Sequence, residues 1–328
     1  MRALAELEKV STESLLPTPG KYANTVINCL QRSSNLENFQ YFVLPGGRRI
    51  AYSLFGKNGG FPVFYFHSTG SSRLECALFQ KSASRLGYQL IAIDRPGIGR
   101  SDFKSRLQLS DISSDVLSLS DGLNLQQFGL MSFATGGIFA LATAFYDPSR
   151  ISFQLSLGGI PGSLKQKSKQ RPSYSGKCAR FLLPFLVRLF TRVKYGITWD
   201  NPAANIERLH QLLNYSDRKI LSDPVFHSIL KTSMKEAHCQ GFQGVAQDTG
   251  LSFKEPGFQL SQVSVPVSIW QGCADNLQSR SSSEYLAACI PSGRFHSVAN
   301  HGHFFFVHCM DEIFLRTKCF ALDQRVVI

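Results

Sequence analysis

One turn constrains this chain more than any other feature. The apolar run Phe128-Gly129-Leu130-Met131-Ser132-Phe133 reads as a strand, and a helical run, Ile138 to Phe145, follows directly across Ala134-Thr135-Gly136-Gly137. A strand that enters a helix through so tight a turn lifts one side chain to the top of a sheet. The pattern is small-x-apex-x-small, here Ser132-Phe133-Ala134-Thr135-Gly136. Where such a turn serves catalysis, the apex carries a nucleophile. Here the apex is Ala134, and a methyl group can neither attack a carbonyl nor take part in proton return.

The remaining pattern suits that turn. Short β-rich runs fall at Phe39–Leu44, Ile50–Phe55, Pro62–Phe66, Gln89–Ile93 and Ile151–Leu157, with helical periodicity at Leu74–Leu86 and Leu109–Gly122. Strands alternating with helices predict an α/β fold, a mostly parallel sheet with helices on both faces. The first two runs, joined at Pro45-Gly46-Gly47, read as an antiparallel hairpin at a sheet edge. After Gly159 the alternation stops, and it resumes at Val265–Trp270, Ser281–Ala288, Arg294–Val298 and Met310–Phe320. The expected organisation is a lead-in segment over 1–37, a first core part over 38–160, a helical cap over 161–256 inserted after the sixth strand, and a second core part over 257–328.

Charge raises the question of nucleic acid, because the formal net charge is +12. Nine of the cations (Lys165, Lys167, Lys169, Arg171, Lys177, Arg180, Arg188, Arg192 and Lys194) lie between Pro161 and Trp199, where no acid occurs. This is a local basic strip with no recognition helix or aromatic-interleaved platform, so nucleic-acid binding is not expected. Within it, Phe181, Leu182, Phe185, Leu186, Leu189, Phe190 and Val193 share one helical face, and Lys177, Arg180, Arg188 and Arg192 the other. The favoured reading is a lid helix covering a pocket; peripheral membrane contact through the basic face is the minor one. Phe181, Phe185, Phe190 and Trp199 are candidate walls of a pocket for a small apolar substrate or ligand. The eight cysteines show neither C-x-x-C pairs nor metal-ligand spacing, which favours reduced core thiols, a cytoplasmic setting and no bound metal. No pattern calls for a cofactor.

Four landmarks then occur in one order. They are Phe66-His67-Ser68-Thr69-Gly70-Ser71-Ser72-Arg73; Asp94-Arg95-Pro96-Gly97-Ile98-Gly99-Arg100-Ser101-Asp102; the turn at Ala134; and the pair Gln271-Gly272-Cys273-Ala274-Asp275 and Asn300-His301-Gly302-His303-Phe304. From about residue 40 to 320 the chain resembles an α/β-hydrolase of the capped, esterase/epoxide-hydrolase-like branch, with Ala134 in place of the nucleophilic serine. The resemblance implies His303 as general base, Asp275 as the acid that orients it, and the backbone amides of Thr69 and Thr135 as an oxyanion hole. His67, Asp94 and Arg95 are expected to brace loops, and His301 to lie at the surface. The side chain of Thr135 is expected to turn away from the apex and that of Cys273 to face the core. The Ser132 hydroxyl is expected below the turn.

Three functions fit these residues. The first is a scaffold derived from a serine ester or amide hydrolase, in which conventional hydrolysis is absent or very weak, since losing a triad nucleophile costs about 10⁶-fold in turnover. The second is a non-hydrolytic enzyme using His303 and Asp275 as an acid–base dyad, of decarboxylase or cofactor-free oxygenase type. The third is a catalytically dead protein that binds a small ligand or a protein partner.

Overall fold

Eight strands make one sheet in the computed structural model, which describes residues 38–159, 202–252 and 254–323. They are β1 (Gln40–Val43), β2 (Arg49–Gly56), β3 (Phe61–Phe66), β4 (Tyr88–Ile93), β5 (Phe128–Phe133), β6 (Ile151–Leu157), β7 (Val267–Gly272) and β8 (Gly293–Val298). Their spatial order is β1-β2-β4-β3-β5-β6-β7-β8. The β1–β2 and β2–β4 pairs are antiparallel and every other pair is parallel. The two-sided burial that parallel strands require explains the near-continuous apolar runs of β3 and β5.

Alternation along each strand feeds two separate cores. Phe64, Phe66 and Leu130 point to one face, where they meet α2 (Leu109–Gly122), α3 (Gly137–Tyr146) and α8 (Arg280–Cys289) through Ile112, Val116, Ile138 and Leu286. Val63, Tyr65, Met131 and Phe133 point to the other, against Phe79, α1 (Gln80–Leu86) and α9 (Phe306–Asp323) through Ala83, Phe306 and Ile313. Helices therefore cover both faces. The Leu74–Leu86 periodicity divides in two: Arg73–Phe79 is a 3₁₀ helix, and only Gln80 onward is α-helical.

Between β6 and β7 lie α4 (Pro202–Leu212), α5 (Tyr215–Leu221), α6 (Pro224–Ala237) and α7 (Gln243–Ser252). Ile206, Leu213, Leu221, Phe226 and Leu230 from this stretch join the core under β3 and β5. The lead-in segment 1–37 and residues 160–201, which carry the basic strip and Phe181, Phe185, Phe190 and Trp199, lie outside the described residues. Among the described residues, no helix is long and apolar enough to cross a membrane.

The strand order also decides where a site can form. From β3 the chain first adds β4 on one side and then β5 on the other, so the loops after β3 and β5 leave the sheet in opposite directions. A crevice opens at the carboxyl ends of strands at such a reversal. The register Phe66↔Ser132 brings those two ends level, and with them the loop at His67–Ser72 and the turn at Ala134.

Candidate active site

The turn after β5 keeps the geometry its sequence implies. Phe133 is extended (φ −117°, ψ 133°), Ala134 is left-handed (φ 46°), and from Gly136 the backbone is helical. Alanine rarely adopts this conformation, since its Cβ crowds the backbone. Gly136 is required for a different reason, because a Cβ there would run into the main-chain carbonyls of Phe66 and His67. The elbow and the loop after β3 are thus pressed together with no room between them. Ser132, two residues before the apex, is buried, with its hydroxyl 3.2 Å from that of Ser156.

The β3 loop is held from below. Glu75 is buried, and its Oε2 accepts the Tyr65 hydroxyl (2.6 Å) and the Ser68 main-chain N–H (2.8 Å), while Oε1 accepts the Ser68 hydroxyl. Burial, and then the charge of Glu75, push the Tyr65 phenol well above its ordinary value, so it remains a donor. His67 lies deeper, with Nδ1 donating to the Ser68 carbonyl (2.8 Å). Burial and the nearby Arg95 guanidinium hold its imidazole well below the usual value, hence neutral. Arg95 is itself buried, paired through Nε and Nη2 with Asp248 (2.6 and 2.8 Å), and its Nη1 donates to the His67 carbonyl (2.7 Å). Asp94 receives the main-chain N–H and the guanidinium of Arg73. These contacts fix loops rather than face an open cavity.

One contact differs from expectation. The Thr135 side chain does not turn away from the apex; its Oγ1 accepts the main-chain N–H of Thr69 at 2.5 Å and the Thr69 hydroxyl at 2.8 Å. The two residues singled out as oxyanion donors are together, but one of the two amides already has an acceptor.

Asp275 and His303 also meet. Asp275 sits in the turn that follows β7, where its Oδ1 accepts the main-chain N–H groups of Leu277 (2.9 Å) and Gln278 (3.1 Å). Its Oδ2 is 2.8 Å from His303 Nδ1. A carboxylate only accepts, so Nδ1 carries the proton and Nε2 is the basic nitrogen. The Asp275 side chain is wholly shielded from solvent, and the His303 ring packs 4.9 Å from that of Phe133, next to the apex. Nε2 has no hydrogen-bond partner among the described residues. Such an arrangement can take up a proton at Nε2 and hold the resulting cation against Asp275.

A residue that the sequence did not single out completes this corner. Asp217, in the first turn of α5, is fully buried and accepts the main-chain N–H of His303 on Oδ2 (2.7 Å) and that of Phe304 on Oδ1 (2.9 Å). Asn214, the cap of the same helix, accepts the Asp217 N–H and donates from Nδ2 to the Ala274 carbonyl beside Asp275 (2.7 Å). The start of α5 therefore grips both loops that carry the dyad. The spacing Asn214-x-x-Asp217 signals a helix N-terminus, but nothing in the sequence tells where that carboxylate points. Glu75 and Asp248 were missed for the same reason.

The remaining residues fall into place or out of it. Cys273 is exposed and lies 3.8 Å from an Arg280 nitrogen, contrary to the expectation that it faces the core. Of the five cysteines whose side chains are described, all free thiols, Cys76 alone is buried, so the core-thiol reading holds for one. His301 is in the same turn as His303, with Nδ1 on the Ala299 carbonyl. No group of three or more His, Cys, Asp or Glu side chains is placed to hold a metal among the described residues.

Comparison with known proteins agrees with this geometry. Residues 62–308 match the α/β hydrolase fold family. The chain is 23% identical over 253 residues to 2-hydroxy-6-oxononadienedioate/2-hydroxy-6-oxononatrienedioate hydrolase 2 of Pseudomonas putida, covering 75% of this chain and 82% of that protein. Among solved structures, a hydrolase from Pseudomonas aeruginosa PA01 superposes with a TM-score of 0.64 at 17% identity, over 86% of this chain and 98% of the other. A Ser-to-Ala mutant of the meta-cleavage product hydrolase from Pseudomonas fluorescens IP01, complexed with acetates, superposes with a TM-score of 0.63 at 19% identity, over 88% of this chain and all of the other. With the matched span running from β3 past His303, this chain belongs to the α/β hydrolase fold family.

Proposed function

We propose that this chain is a hydrolase-derived scaffold that keeps the acid–base half of its site and lacks the nucleophile, so that conventional serine hydrolysis of small apolar esters or amides is absent or very weak. One observation carries the reading: Ala134 holds the left-handed apex conformation (φ 46°) on a turn whose neighbour Phe133 packs against His303, itself 2.8 Å from Asp275. A turn freed from presenting a nucleophile has no need of a strained alanine. The test is Ala134→Ser, assayed on p-nitrophenyl esters of increasing acyl length beside the parent and Ala134→Ser/His303→Ala. The expected result is a gain of several orders of magnitude that disappears without His303. A folded serine variant that stays inert even when Thr135→Ala has freed the Thr69 amide contradicts the reading.

A second reading, proton transfer by the dyad itself, is supported by the Nε2 of His303, which has no hydrogen-bond partner among the described residues. Two of the relatives in sequence are named as hydrolases of 2-hydroxy-6-oxononadienedioate and 2-hydroxy-6-oxononatrienedioate, compounds whose enol hydroxyl can pass to a ketone by moving protons alone. Under it, the parent chain accelerates ketonisation of a 2-hydroxydienoate, followed by loss of its ultraviolet absorbance, and His303→Ala abolishes the acceleration. Equal rates with and without His303 eliminate it.

A further inference from the structure

The inference concerns the one amide of the site that is occupied, and it rests on the reading of Thr69 and Thr135 as the oxyanion pair. A main-chain N–H has a single hydrogen, and an oxyanion donor must aim it at the reacting oxygen from about 2.7–3.1 Å. The Thr69 N–H is aimed at Thr135 Oγ1, 2.5 Å away. The same oxygen accepts the Thr69 hydroxyl at 2.8 Å, so both of its acceptor positions serve Thr69. The Thr135 O–H finds no acceptor among the described residues.

The backbones on either side are fixed. Ser68, just before Thr69, is pinned through its N–H and hydroxyl to the buried Glu75. Gly136, just after Thr135, touches the Phe66 and His67 carbonyls so closely that no Cβ fits. What remains free is rotation of the Thr135 side chain, which is half-buried at the rim of the crevice.

We propose that the Thr135 hydroxyl caps the oxyanion cradle, standing on the Thr69 amide where a ligand oxygen would stand, and that ligands bind there by rotating it away. The cap also sets what can bind. A carboxylate oxygen makes charge-assisted hydrogen bonds roughly twice as strong as those of a neutral acceptor. A neutral ester carbonyl offers the Thr69 amide little that the hydroxyl does not already provide. The capped cradle therefore selects small carboxylates over neutral carbonyl compounds.

The experiment titrates benzoate, and separately methyl benzoate, into ¹⁵N-labelled protein while the Thr69 amide resonance is followed. The parent should respond to benzoate and not to methyl benzoate. Thr135→Ala should bind benzoate about ten-fold more tightly and respond to the ester as well, with the Thr69 resonance already displaced before addition. Thr135→Val should also bind benzoate more tightly than the parent, because its methyl rotates away without breaking a hydrogen bond and leaves the Thr69 amide unpaired until a carboxylate arrives, and Thr135→Ser should resemble the parent. Thr135→Ala that binds benzoate no better than the parent, or no response at Thr69 in any variant, overturns the proposal. In the serine background, Ala134→Ser/Thr135→Ala should hydrolyse p-nitrophenyl acetate at least ten-fold faster than Ala134→Ser. A fall instead would make the hydroxyl itself an oxyanion donor and overturn the cap. A gain in benzoate binding with no hydrolysis in either serine variant leaves the cap standing and removes the hydrolase reading; equal hydrolysis in the two does the reverse.

Discussion

The Asp217 carboxylate, on a helix between β6 and β7, accepts the main-chain N–H of His303 at 2.7 Å and that of Phe304 at 2.9 Å. An element outside the sheet thus fixes the backbone of the dyad histidine, while Asp275 fixes its ring.

Replacing Asp217 with Asn turns one acceptor into a donor that faces a main-chain N–H. A buried donor left unpaired costs about 1–3 kcal/mol, read as a lower urea midpoint. In the Ala134→Ser background the displaced imidazole should lower kcat roughly 10²-fold with little change in KM. A parallel rise in KM would mean that Asp217 shapes the pocket and does not position His303.

Gly302 lies against the same carboxylate, and a Cβ there would collide with the side chains of Asp217 and Asn214. Gly302→Ala should destabilise by about 1–3 kcal/mol, the usual cost of overpacking. Asp217→Ala removes the Asp217 part of that collision and leaves the Asn214 part, so the double variant should be less destabilised than the sum of the singles by at least 0.5 kcal/mol, the coupling typical of touching residues. Strict additivity in a urea double-mutant cycle would show that the two groups do not meet.

Ala134→Gly separates strain from chemistry. A left-handed alanine costs about 1–2 kcal/mol, whereas glycine adds roughly 0.4–1 kcal/mol of unfolded-state entropy. The strain is the larger, so this variant should be more stable than the parent by roughly 0.5 kcal/mol. A loss above about 1 kcal/mol would mean that residue 134 is not left-handed.

Glu236 on α6 carries a pH dependence of the contact between α6 and the segments that follow β3 and β4. It accepts hydrogen bonds from the buried Arg73 (2.9 Å) and from Arg100 (2.9 Å). Burial alone would raise its carboxyl, but the hydrogen bond from Arg100 and the charge of Arg73 bring it below the ordinary value. With the folded value lowered, its stabilisation is complete above the ordinary carboxylate range and is lost as pH falls through the folded value. Glu236→Gln should cost about 1.5–3 kcal/mol at neutral pH, chiefly through Arg73; the exposed Arg100 adds little. The urea midpoints of variant and parent should converge on acidification. A gap that stays constant with pH would remove charge from the explanation.

Much of this was legible in the sequence because it is local. The apolar runs of β3 and β5 reveal a parallel sheet by composition, and Gly136 follows the apex at the interval a tight turn demands. Asp275 and His303 lie in short segments that the family resemblance pairs. What escaped is what only folding brings together. Asp217 is 86 residues from His303, and its capping pattern is satisfied whether its carboxylate faces water or a distant loop. Thr135 was expected to point away from the apex, because a reading along one strand cannot see Thr69 arriving from another. Cys273, apolar in type and placed just after a buried strand, is exposed in the turn that follows β7.

The central claim, an assembled base without a nucleophile, is tested most directly by covalent labelling. Incubation with a fluorophosphonate, read by intact mass and peptide mapping, reports a serine whose proton is removed by a neighbouring base as phosphorus bonds to its oxygen and fluoride leaves. The parent should stay unlabelled. Ala134→Ser, alone or with Thr135→Ala, should be labelled at residue 134, and the further change His303→Ala should abolish it. Labelling of the parent would reveal another nucleophile, and no labelling of either serine variant would show that the base is not assembled; each result contradicts the account.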